Sequence, residues 1–453
     1  MEKDTELRFP VILPEEPGME DKRLAKVLET ALSGLQPCFL RTAEETAAWF
    51  LRDASPEEAA DGTGTAEDVG MAAGAEKADS TGTRRFRPVL FAVALGSDGV
   101  NLEYMRLLRL LRNHEGMLDG YVGGVIIDGA SDLYTKAVSR ELVFTANTAG
   151  CAFVGRPLVE GTRTLSNFTV VARNLDTDIG NAYRQSAAVL VRELLHFGSG
   201  EENGPHLLGK GGLSAPQDSA KHAGENAAGK EAQADNASAG AENTAAENTA
   251  AENTAAENTV KKYRRPRILV LHASIRATSN TLELWHRTAA LLPEMEIREI
   301  SLQNGTLYDC AGCPYHTCLH FGEKNSCFYG GVMVEEVYPA VREADAIVML
   351  CANYNDALSA NLTAFINRLT ALFRQVRFYD KALFAVVVSG YSGSDIVAEQ
   401  LIAALNMNKT FYLPPRFAML ETANDAGQAV RLPGIDARIR AFAENIRRTL
   451  LPC

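Results

Sequence analysis

Hydroxyl-bearing and cationic side chains follow one strongly apolar segment of the chain. Residues 267–272 read R-I-L-V-L-H, and the residues after them include Ser274, Arg276, Ser279, Asn280 and Thr281. A helical pattern, L-E-L-W-H-R-T-A-A-L-L, comes next. A turn from a strand into a helix offers free backbone N–H groups and a helix dipole to an anion, and hydroxyls and an arginine add donors. This stretch predicts a phosphate cradle; the alternative is an ordinary turn whose Ser, Asn and Thr cap the helix.

Four of the eight cysteines crowd into one short segment with the spacing C-x2-C-x4-C-x8-C: Cys310, Cys313, Cys318 and Cys327. The N-terminus, M-E-K-D-T-E-L-R-F-P, is charged and is not expected to be a secretory signal. A disulfide framework is therefore not expected, and metal, cluster or redox roles are favoured. His316 and His320 add a tetrahedral zinc site as an alternative. Reduced or partly paired cysteines without metal are the third interpretation.

The elements around these residues alternate between strand and helix from residue 264 to the end. Strands are predicted at residues 267–272, 296–302, 346–351, 383–389 and 417–420. Helical patterns separate them, which is typical of a doubly wound parallel α/β sheet of the flavodoxin type with strand order 2-1-3-4-5.

Three strands of this predicted sheet end in unusual loops and would be neighbours in space. The first is the hydroxyl-rich turn. The second contains Asn353, Tyr354 and Asn355, and the third contains Ser389, Gly390, Tyr391, Ser392 and Gly393. Side-chain amides, an aromatic ring and glycines beside a phosphate cradle fit a flat, amphipathic ligand with a phosphate tail. Flavin mononucleotide (FMN) is such a ligand.

Residues 267–453 resemble the NAD(P)H-dependent FMN reductase and iron–sulfur flavoprotein group of the flavodoxin-like superfamily. Members show G-S-P-R-x-x-G-N-T where this chain has A-S-I-R-A-T-S-N-T, and S-P-V-Y-F-G-S-V-S-A-x-L-K-A-F-I-D-R where it has C-A-N-Y-N-D-A-L-S-A-N-L-T-A-F-I-N-R. The chain departs from the pattern at Ala273, Ile275, Ser279 and Ala352. Where glycine is replaced, at Ala273 and Ser279, a side chain crowds the turn.

The resemblance implies that FMN is bound at its phosphate by Ser274, Arg276, Ser279, Asn280 and Thr281. It implies contacts to the isoalloxazine ring from Asn353, Tyr354, Asn355 and the loop Ser389–Gly393. It also implies that Cys310, Cys313, Cys318 and Cys327 hold a [4Fe–4S] cluster, although the family spacing, C-x2-C-x2-C-x4-7-C, differs from the one here.

The function implied is an oxidoreductase that passes electrons from NAD(P)H through FMN to a quinone, flavin, nitro compound or other small acceptor. No protein acid or base is obligatory, so no catalytic side chain is assigned. Two alternatives are an iron–sulfur flavoprotein that carries electrons between redox proteins and a flavin-binding or structural module without turnover. The family commonly forms homo-oligomers.

The first part of the chain also alternates between strands and helices, which predicts a smaller α/β domain at residues 1–198. Residues 86–197 resemble the accessory N-terminal part of longer, two-domain members of the same group, and the resemblance implies an accessory role. Strands are expected at Phe9–Leu13, Val89–Leu95, Tyr121–Asp128, Ala152–Val154 and Phe168–Ala172. The pattern fits a decayed flavodoxin-like duplicate. Residues 53–85 have the composition of a disordered insertion, and residues 199–263, which repeat A-A-E-N-T, that of a flexible linker. The FMN domain would then comprise residues 264–453.

Charge and hydropathy limit the partners. The net charge is −12, from 45 Lys and Arg against 57 Asp and Glu, and residues 264–453 hold 19 of the former and 18 of the latter. The acidity belongs to the first part of the chain and disfavours nucleic acid as a partner. No apolar run reaches the length of about 18 residues that a membrane span needs. The cytoplasm is the expected compartment.

Overall fold

The computed structural model describes residues 9–17, 22–51, 86–199, 264–275 and 278–451. They form two five-stranded sheets in which every strand pair is parallel. We call the described residues up to 199 the N-terminal half and those from 264 the C-terminal half. The predicted insertion at 53–85 and nearly all of the predicted linker at 199–263 lie outside the described residues.

The N-terminal half contains five strands: β1 (Phe9–Ile12), β2 (Pro37–Leu40), β3 (Arg87–Leu95), β4 (Tyr121–Gly129) and β5 (Ala152–Gly161). Its helices are α1 (Lys22–Ala31), α2 (Ala43–Phe50), α3 (Leu102–Asn113), α4 (Thr135–Thr148), α5 (Thr169–Asn174) and α6 (Ile179–Ser199). The strand order is β2-β1-β3-β4-β5. β3 and β4 are buried along nearly their whole length because helices cover both faces of the sheet.

The C-terminal half contains β6 (Arg267–His272), β7 (Glu296–Ser301), β8 (Ala346–Ala352), β9 (Ala382–Ser389) and β10 (Ala418–Thr422). Its α-helices are α7 (Asn280–Ala289), α8 (Tyr315–Glu323), α9 (Tyr338–Glu343), α10 (Ala360–Phe373), α11 (Ser394–Leu401) and α12 (Ile435–Leu450). π-helical turns at Met333–Val337 and Ile402–Met407 adjoin α9 and α11. The order β7-β6-β8-β9-β10 is the predicted 2-1-3-4-5 arrangement.

The two sheets have the same strand order when each is numbered from its own first strand. This agreement supports the expectation that the N-terminal half is a flavodoxin-like duplicate. The two halves also meet beside β5. Leu413 makes an antiparallel bridge to Phe153 of β5, and the adjacent Tyr412 makes a parallel bridge to Ala382 of β9. One apolar core runs through both halves, and each half has a second core on the other face of its sheet.

Polar contacts fix this junction. The buried Asn147 donates to the carbonyl oxygens of Cys151 and Pro414 and accepts from the backbone N–H of Phe417. Gly155 lies so close to the other half that an added Cβ would be 2.1 Å from the carbonyl oxygen of Thr410. A residue with a side chain cannot occupy that position without moving the backbone.

One predicted strand is wrong. Residues Phe168–Ala172 form a 3-10 turn followed by α5. Phe168 and Ala172, four residues apart, are both buried, and the Phe168 ring packs on Tyr183 of α6 at 5.0 Å between centroids. The edge of β5 that a further strand would use is bridged by Leu413 from the other half. Two elements were not predicted, β2 and α8; β5 is also longer than predicted and is interrupted by a bulge.

Candidate flavin site and cysteine cavity

The hydroxyl-rich loop after β6 gathers its hydroxyls into a chain at the start of α7. The Ser274 Oγ lies 3.1 Å from the Ser279 Oγ, which lies 2.9 Å from the Thr281 Oγ1. Thr281 is fully buried, whereas Ser274 and Ser279 are half-buried and accessible from the edge of the sheet. Ser279 occupies the N-cap position but makes no side-chain cap hydrogen bond. Its hydroxyl is therefore not used in the way that the capping interpretation requires.

The predicted phosphate ligands do not all have free side chains. Asn280 donates to the carbonyl oxygens of Ala423 and Asp425 and accepts from the backbone N–H of Ala429. These bonds occupy its amide and hold the loop after β10 against the loop after β6. The backbone N–H of Asn280, at the first turn of α7, is the part of this residue that faces an anion site. Arg276 lies outside the described residues.

The loops after β8 and β9 are joined by Asn353. Its Nδ2 atom lies within 3.2 Å of the Ser389 Oγ and the Asp356 Oδ1 and 2.9 Å from the carbonyl oxygen of Ser392. Its Oδ1 atom is buried and has no partner in the described structure. A ligand N–H group at this edge would satisfy that acceptor, as buried polar atoms require.

The backbone conformation and close contacts at position 393 require glycine. Its φ of +85° is left-handed, and a Cβ would lie 2.2 Å from the Asp356 Oδ1 and 2.8 Å from the Asn353 Nδ2. In the neighbouring turn, Asn355 and Asp356 both have positive φ angles, and Tyr354 and Ala357 bond to each other across the turn. The two loops are therefore fitted closely against each other.

Large side chains at this edge remain exposed: Tyr391 by 82%, Ile275 by 77% and Tyr354 by 61%. Exposed rings and an exposed aliphatic side chain around a polar centre provide the apolar surface that a flat ring system would cover. Ser389 is fully buried and bonds to Ser394, so it supports the third loop from beneath. Gly390 contacts Asn424 of the loop after β10.

The structure thus brings all three predicted loops to one edge of the sheet and adds a fourth, residues 423–429. That loop could not be identified from the sequence, because its place depends on the bonds made by Asn280 and on the pairing of Ala423 N–H with the Ser389 carbonyl oxygen. Nor did the sequence indicate that His272, the last residue of β6, accepts from the backbone N–H of Ser274.

The four clustered cysteines line one cavity of about 160 Å³. Its other walls include Phe321, Phe328, Tyr329, Arg368 and Arg374. Burial raises the pKa of the Tyr329 phenol, and the nearby groups of Cys313, Cys310 and Cys327 raise that pKa further. Cys310 is exposed and the other three are half-buried, and all four are free thiols. The fold therefore brings the four cysteines, which lie up to 17 positions apart in the sequence, around one cavity.

Two arginines give this cavity a positive wall. Arg374 donates from Nε to the Cys318 Sγ at 3.4 Å. Arg368 is 2% exposed and binds the carbonyl oxygens of Tyr308 and Gly330, at the two ends of the cysteine segment. Its Nε atom is buried without a partner, and it makes no ion pair with a carboxylate of the described residues. A buried guanidinium in this state fits a negatively charged occupant of the cavity.

Within the described residues, no group of three or more His, Cys, Asp or Glu side chains is arranged to hold a metal ion, whether zinc or the iron of a cluster. Zinc needs four ligands at about 2.0–2.3 Å from one point. His320 lies next to Lys324 and, like His316, is not part of the cavity wall.

The strand order of the C-terminal half is that of a flavodoxin-like sheet, and the three predicted loops lie at the carboxyl ends of β6, β8 and β9. The family model described as NADPH-dependent FMN reductase matches residues 266–425, roughly a third of the chain. The resemblance predicted from the sequence is confirmed for this segment, which is similar to NADPH-dependent FMN reductases. Among curated proteins, none matches the sequence.

Solved structures similar to this chain include an NADH:FMN oxidoreductase in its apo form, with 14% identity, a TM-score of 0.29, and coverage of 41% of this chain and 90% of that one. An azoreductase from Bacillus anthracis str. Sterne has 15% identity, a TM-score of 0.29, and coverage of 41% and 98%. An NAD(P)H:quinone oxidoreductase from Methanothermobacter marburgensis has 15% identity, a TM-score of 0.29, and coverage of 40% and 93%.

None of the helices in the described part of the chain combines the length and apolar character that crossing a membrane requires.

Proposed function

We propose that the C-terminal half binds FMN and passes electrons from NAD(P)H to a small acceptor such as a quinone, a free flavin, or a nitro or azo compound. The observation that carries the proposal is the hydroxyl chain Ser274–Ser279–Thr281 at the start of α7, beside the joined loops after β8 and β9. The family match to residues 266–425 supports the same chemistry.

The residues present fit FMN. Ser274, Ser279, Arg276 and the first backbone N–H groups of α7 would hold its phosphate, and the buried Thr281 hydroxyl would support Ser279. The ring would contact Tyr354, Asn355 and the loop Ser389–Gly393, with the unpaired Asn353 Oδ1 accepting from it. The bound flavin supplies the hydride and electron chemistry. The protein orients the ring, covers its apolar faces and fixes the phosphate, and no side chain has to act as an acid or base.

A titration of the purified, flavin-free protein with FMN tests this proposal. We expect quenching of the flavin fluorescence with one site per chain, and oxidation of NADPH or NADH when a quinone is added to the loaded protein. Binding without turnover for any acceptor class would favour a flavin-binding module. A protein that takes up no FMN contradicts the proposal.

A second function, an iron–sulfur electron carrier, is favoured by the cysteine cavity. Cys310, Cys313, Cys318 and Cys327 surround a space rather than a point, and the unpaired Arg368 Nε fits the negative charge of a thiolate-ligated cluster. A [4Fe–4S] cluster exchanges single electrons. Anaerobic purification followed by iron and sulfide analysis tests it: four of each per chain, lost in Cys313→Ser, are expected. Iron-free protein after reconstitution with iron and sulfide contradicts it.

We also propose that the FMN-binding domain comprises residues 264–453 and the accessory domain residues 1–198. A homo-oligomer in the cytoplasm with a small-molecule or redox-protein partner is the expected setting. Light scattering of the purified full chain measures the oligomeric state directly.

A further inference from the structure

His272 lies where the chain leaves β6 and enters the hydroxyl-rich loop, and its side chain is only 4% exposed. Its Nδ1 atom is 3.2 Å from the backbone nitrogen of Ser274. Its Nε2 atom is 3.3 Å from the Glu299 Oε1 of the adjacent strand β7. The other oxygen of Glu299 is 3.1 Å from the Nε2 atom of His286 on α7. A hydrogen-bonded chain therefore runs from the exposed His286 to the backbone of the loop.

These contacts assign the tautomer of the His272 ring. A backbone N–H can only donate, so the Nδ1 atom must accept and carries no proton. The proton of the neutral ring is then on Nε2 and is donated to the Glu299 carboxylate. Protonation of the ring would place an N–H group at Nδ1 against the N–H of Ser274. The hydrogen bond would be replaced by a repulsive contact.

Ser274 is also held from its other side, because the Ser301 hydroxyl donates to its carbonyl oxygen at 3.4 Å. Both backbone polar groups of Ser274 are thus fixed by β6 and β7, and its hydroxyl remains directed at Ser279. We infer that His272 is a positioning residue that sets the Ser274 peptide of the phosphate loop and releases it when the imidazole is protonated. This inference rests on the proposed FMN site.

The charged groups that face the ring decide the pH at which this happens. Burial lowers the pKa of His272 below its ordinary value, while Glu299 on β7 opposes that shift and His286 on α7 adds slightly to it. On β8, the partner of His272 is the apolar Leu350. The neutral ring is therefore complete above the ordinary histidine pKa of about 6.5 and persists somewhat below it. The positioning effect is lost as the pH falls from there through the lowered pKa of the folded protein.

FMN affinity measured by fluorescence quenching from about pH 8 down to about pH 5 tests the inference. The matched variant is His272→Asn, whose side-chain oxygen can accept from Ser274 but does not titrate. The second ionisation of the FMN phosphate, near pH 6, weakens binding to both proteins on acidification. We expect the wild-type protein to lose about 2- to 10-fold more affinity than the Asn variant, as for loss of one hydrogen bond.

Three further variants sharpen the result. His272→Leu, which lacks the acceptor, should bind FMN about 2- to 10-fold more weakly at neutral pH. Glu299→Gln removes the charge that favours the protonated ring. The fall in FMN affinity on acidification should therefore occur at lower pH in this variant. His114→Asn, a histidine of the N-terminal half, should leave the profile unchanged. Identical profiles for wild type and His272→Asn, with normal binding by His272→Leu, overturn the inference.

A measurement on the flavin-free protein separates this inference from the proposed function. Nitrogen NMR of protein labelled at histidine reports which ring nitrogen of His272 carries the proton at neutral pH. We expect an Nε2–H tautomer that is absent from the spectrum of His272→Asn. An Nδ1–H tautomer overturns the hydrogen bond to Ser274 whether or not FMN binds. Failure of the wild-type protein to bind FMN at any pH instead contradicts the proposed function.

Discussion

The two halves of the chain share a strand order but differ at the edge where such sheets bind ligands. In the C-terminal half the loop after the first strand carries Ser274, Ser279 and Thr281, whose hydroxyls bond to one another. The corresponding stretch of the N-terminal half, P-E-E-P-G-M-E-D-K after β1, contains no hydroxyl residue and four acidic ones. An identical topology therefore carries the proposed anion site in one half and an acidic loop, which disfavours an anion, in the other.

The N-terminal edge is also occupied by the protein itself. Arg23 of α1 donates to both carboxylate oxygens of Asp128, at 2.5 to 3.1 Å, and to the carbonyl oxygens of Gly129 and Arg163. Asp128, at the end of β4, is 1% exposed. A cation of the chain thus neutralises a buried carboxylate at this edge. Strand order therefore locates an edge, whereas the loop residues decide whether that edge can bind a ligand.

The largest effect expected from this comparison is on stability. Asp128→Ala leaves Arg23 without its main partner, and loss of one member of such a pair costs about 3 kcal/mol in the free energy of unfolding. FMN affinity should not change, because the edge is structural. Urea denaturation and an FMN titration measure the two quantities. The control, Asp132→Ala, removes an exposed ion pair with Arg163 at 3.3 Å and should cost under about 1 kcal/mol. Weaker FMN binding by Asp128→Ala would contradict a purely structural role for this edge of the N-terminal half.

The next largest effect, also on stability, is expected at the junction between the halves. Asn147→Ala leaves the buried backbone groups of Cys151, Pro414 and Phe417 without their hydrogen-bond partner. We expect the free energy of unfolding to fall by about 2–3 kcal/mol. If the junction couples the halves, their unfolding should also separate into two transitions, seen by calorimetry. Asn408→Ala, an exposed asparagine that bonds only locally to Ala403, is the control and should be nearly neutral. A single, unshifted transition for Asn147→Ala would show that the junction contributes little.

FMN binding at the sheet edge of the C-terminal half should depend on Arg276. Arg276→Ala is expected to weaken FMN binding by about 1.5–3 kcal/mol, the contribution of a charge-assisted hydrogen bond. The matched change in the other half, Arg163→Ala, should leave FMN binding unaffected. Fluorescence titration of both variants measures the difference. Equal affinities for the two variants would refute Arg276 as a phosphate ligand.

The smallest effect concerns the exposed ring of the third loop. Tyr391→Ala should weaken FMN binding by about 1 kcal/mol, in the range of an aromatic contact, without changing stability because the side chain is 82% exposed. Tyr391→Phe should bind as the wild type does if only the ring matters. An exposed apolar residue of the N-terminal edge, Leu133, provides the control, since Leu133→Ala should not alter binding. Unchanged binding by Tyr391→Ala would remove the ring from the site.

The sequence predicted those parts of the fold that rest on local pattern. The buried strands β3, β4, β6, β8 and β9 are continuous apolar runs, and alternation with helices predicted the order of the C-terminal sheet. The strand prediction for Phe168–Ala172 was wrong because its β-branched residues suggest a strand, whereas tertiary packing on Tyr183 holds a helix. The four-residue β2, P-C-F-L, is only partly buried and is too short to show a periodic pattern.

The site shows the same division between local and long-range information. The three loops were located from composition, since Ser, Asn, Tyr and Gly cluster where strands end. The hydrogen bonds by which the Asn280 side chain holds the loop after β10 could not be inferred, because its partners lie more than 140 residues further along the chain. The role of His272 depends on a carboxylate in another strand. The spacing of the cysteines did not reveal that Arg368 supports their cavity.

The bridge between Phe153 and Leu413 has a consequence for solubility. The last strand of an open sheet carries unpaired N–H and C=O groups, which can recruit strands from other molecules and promote aggregation. In this chain Leu413, in the segment before β10, bridges Phe153 of β5, so the C-terminal half covers part of the β5 edge. Expression of the N-terminal half alone would expose that edge together with the buried ring of Phe153. The contact between the halves therefore reduces the tendency of β5 to pair with strands of other molecules.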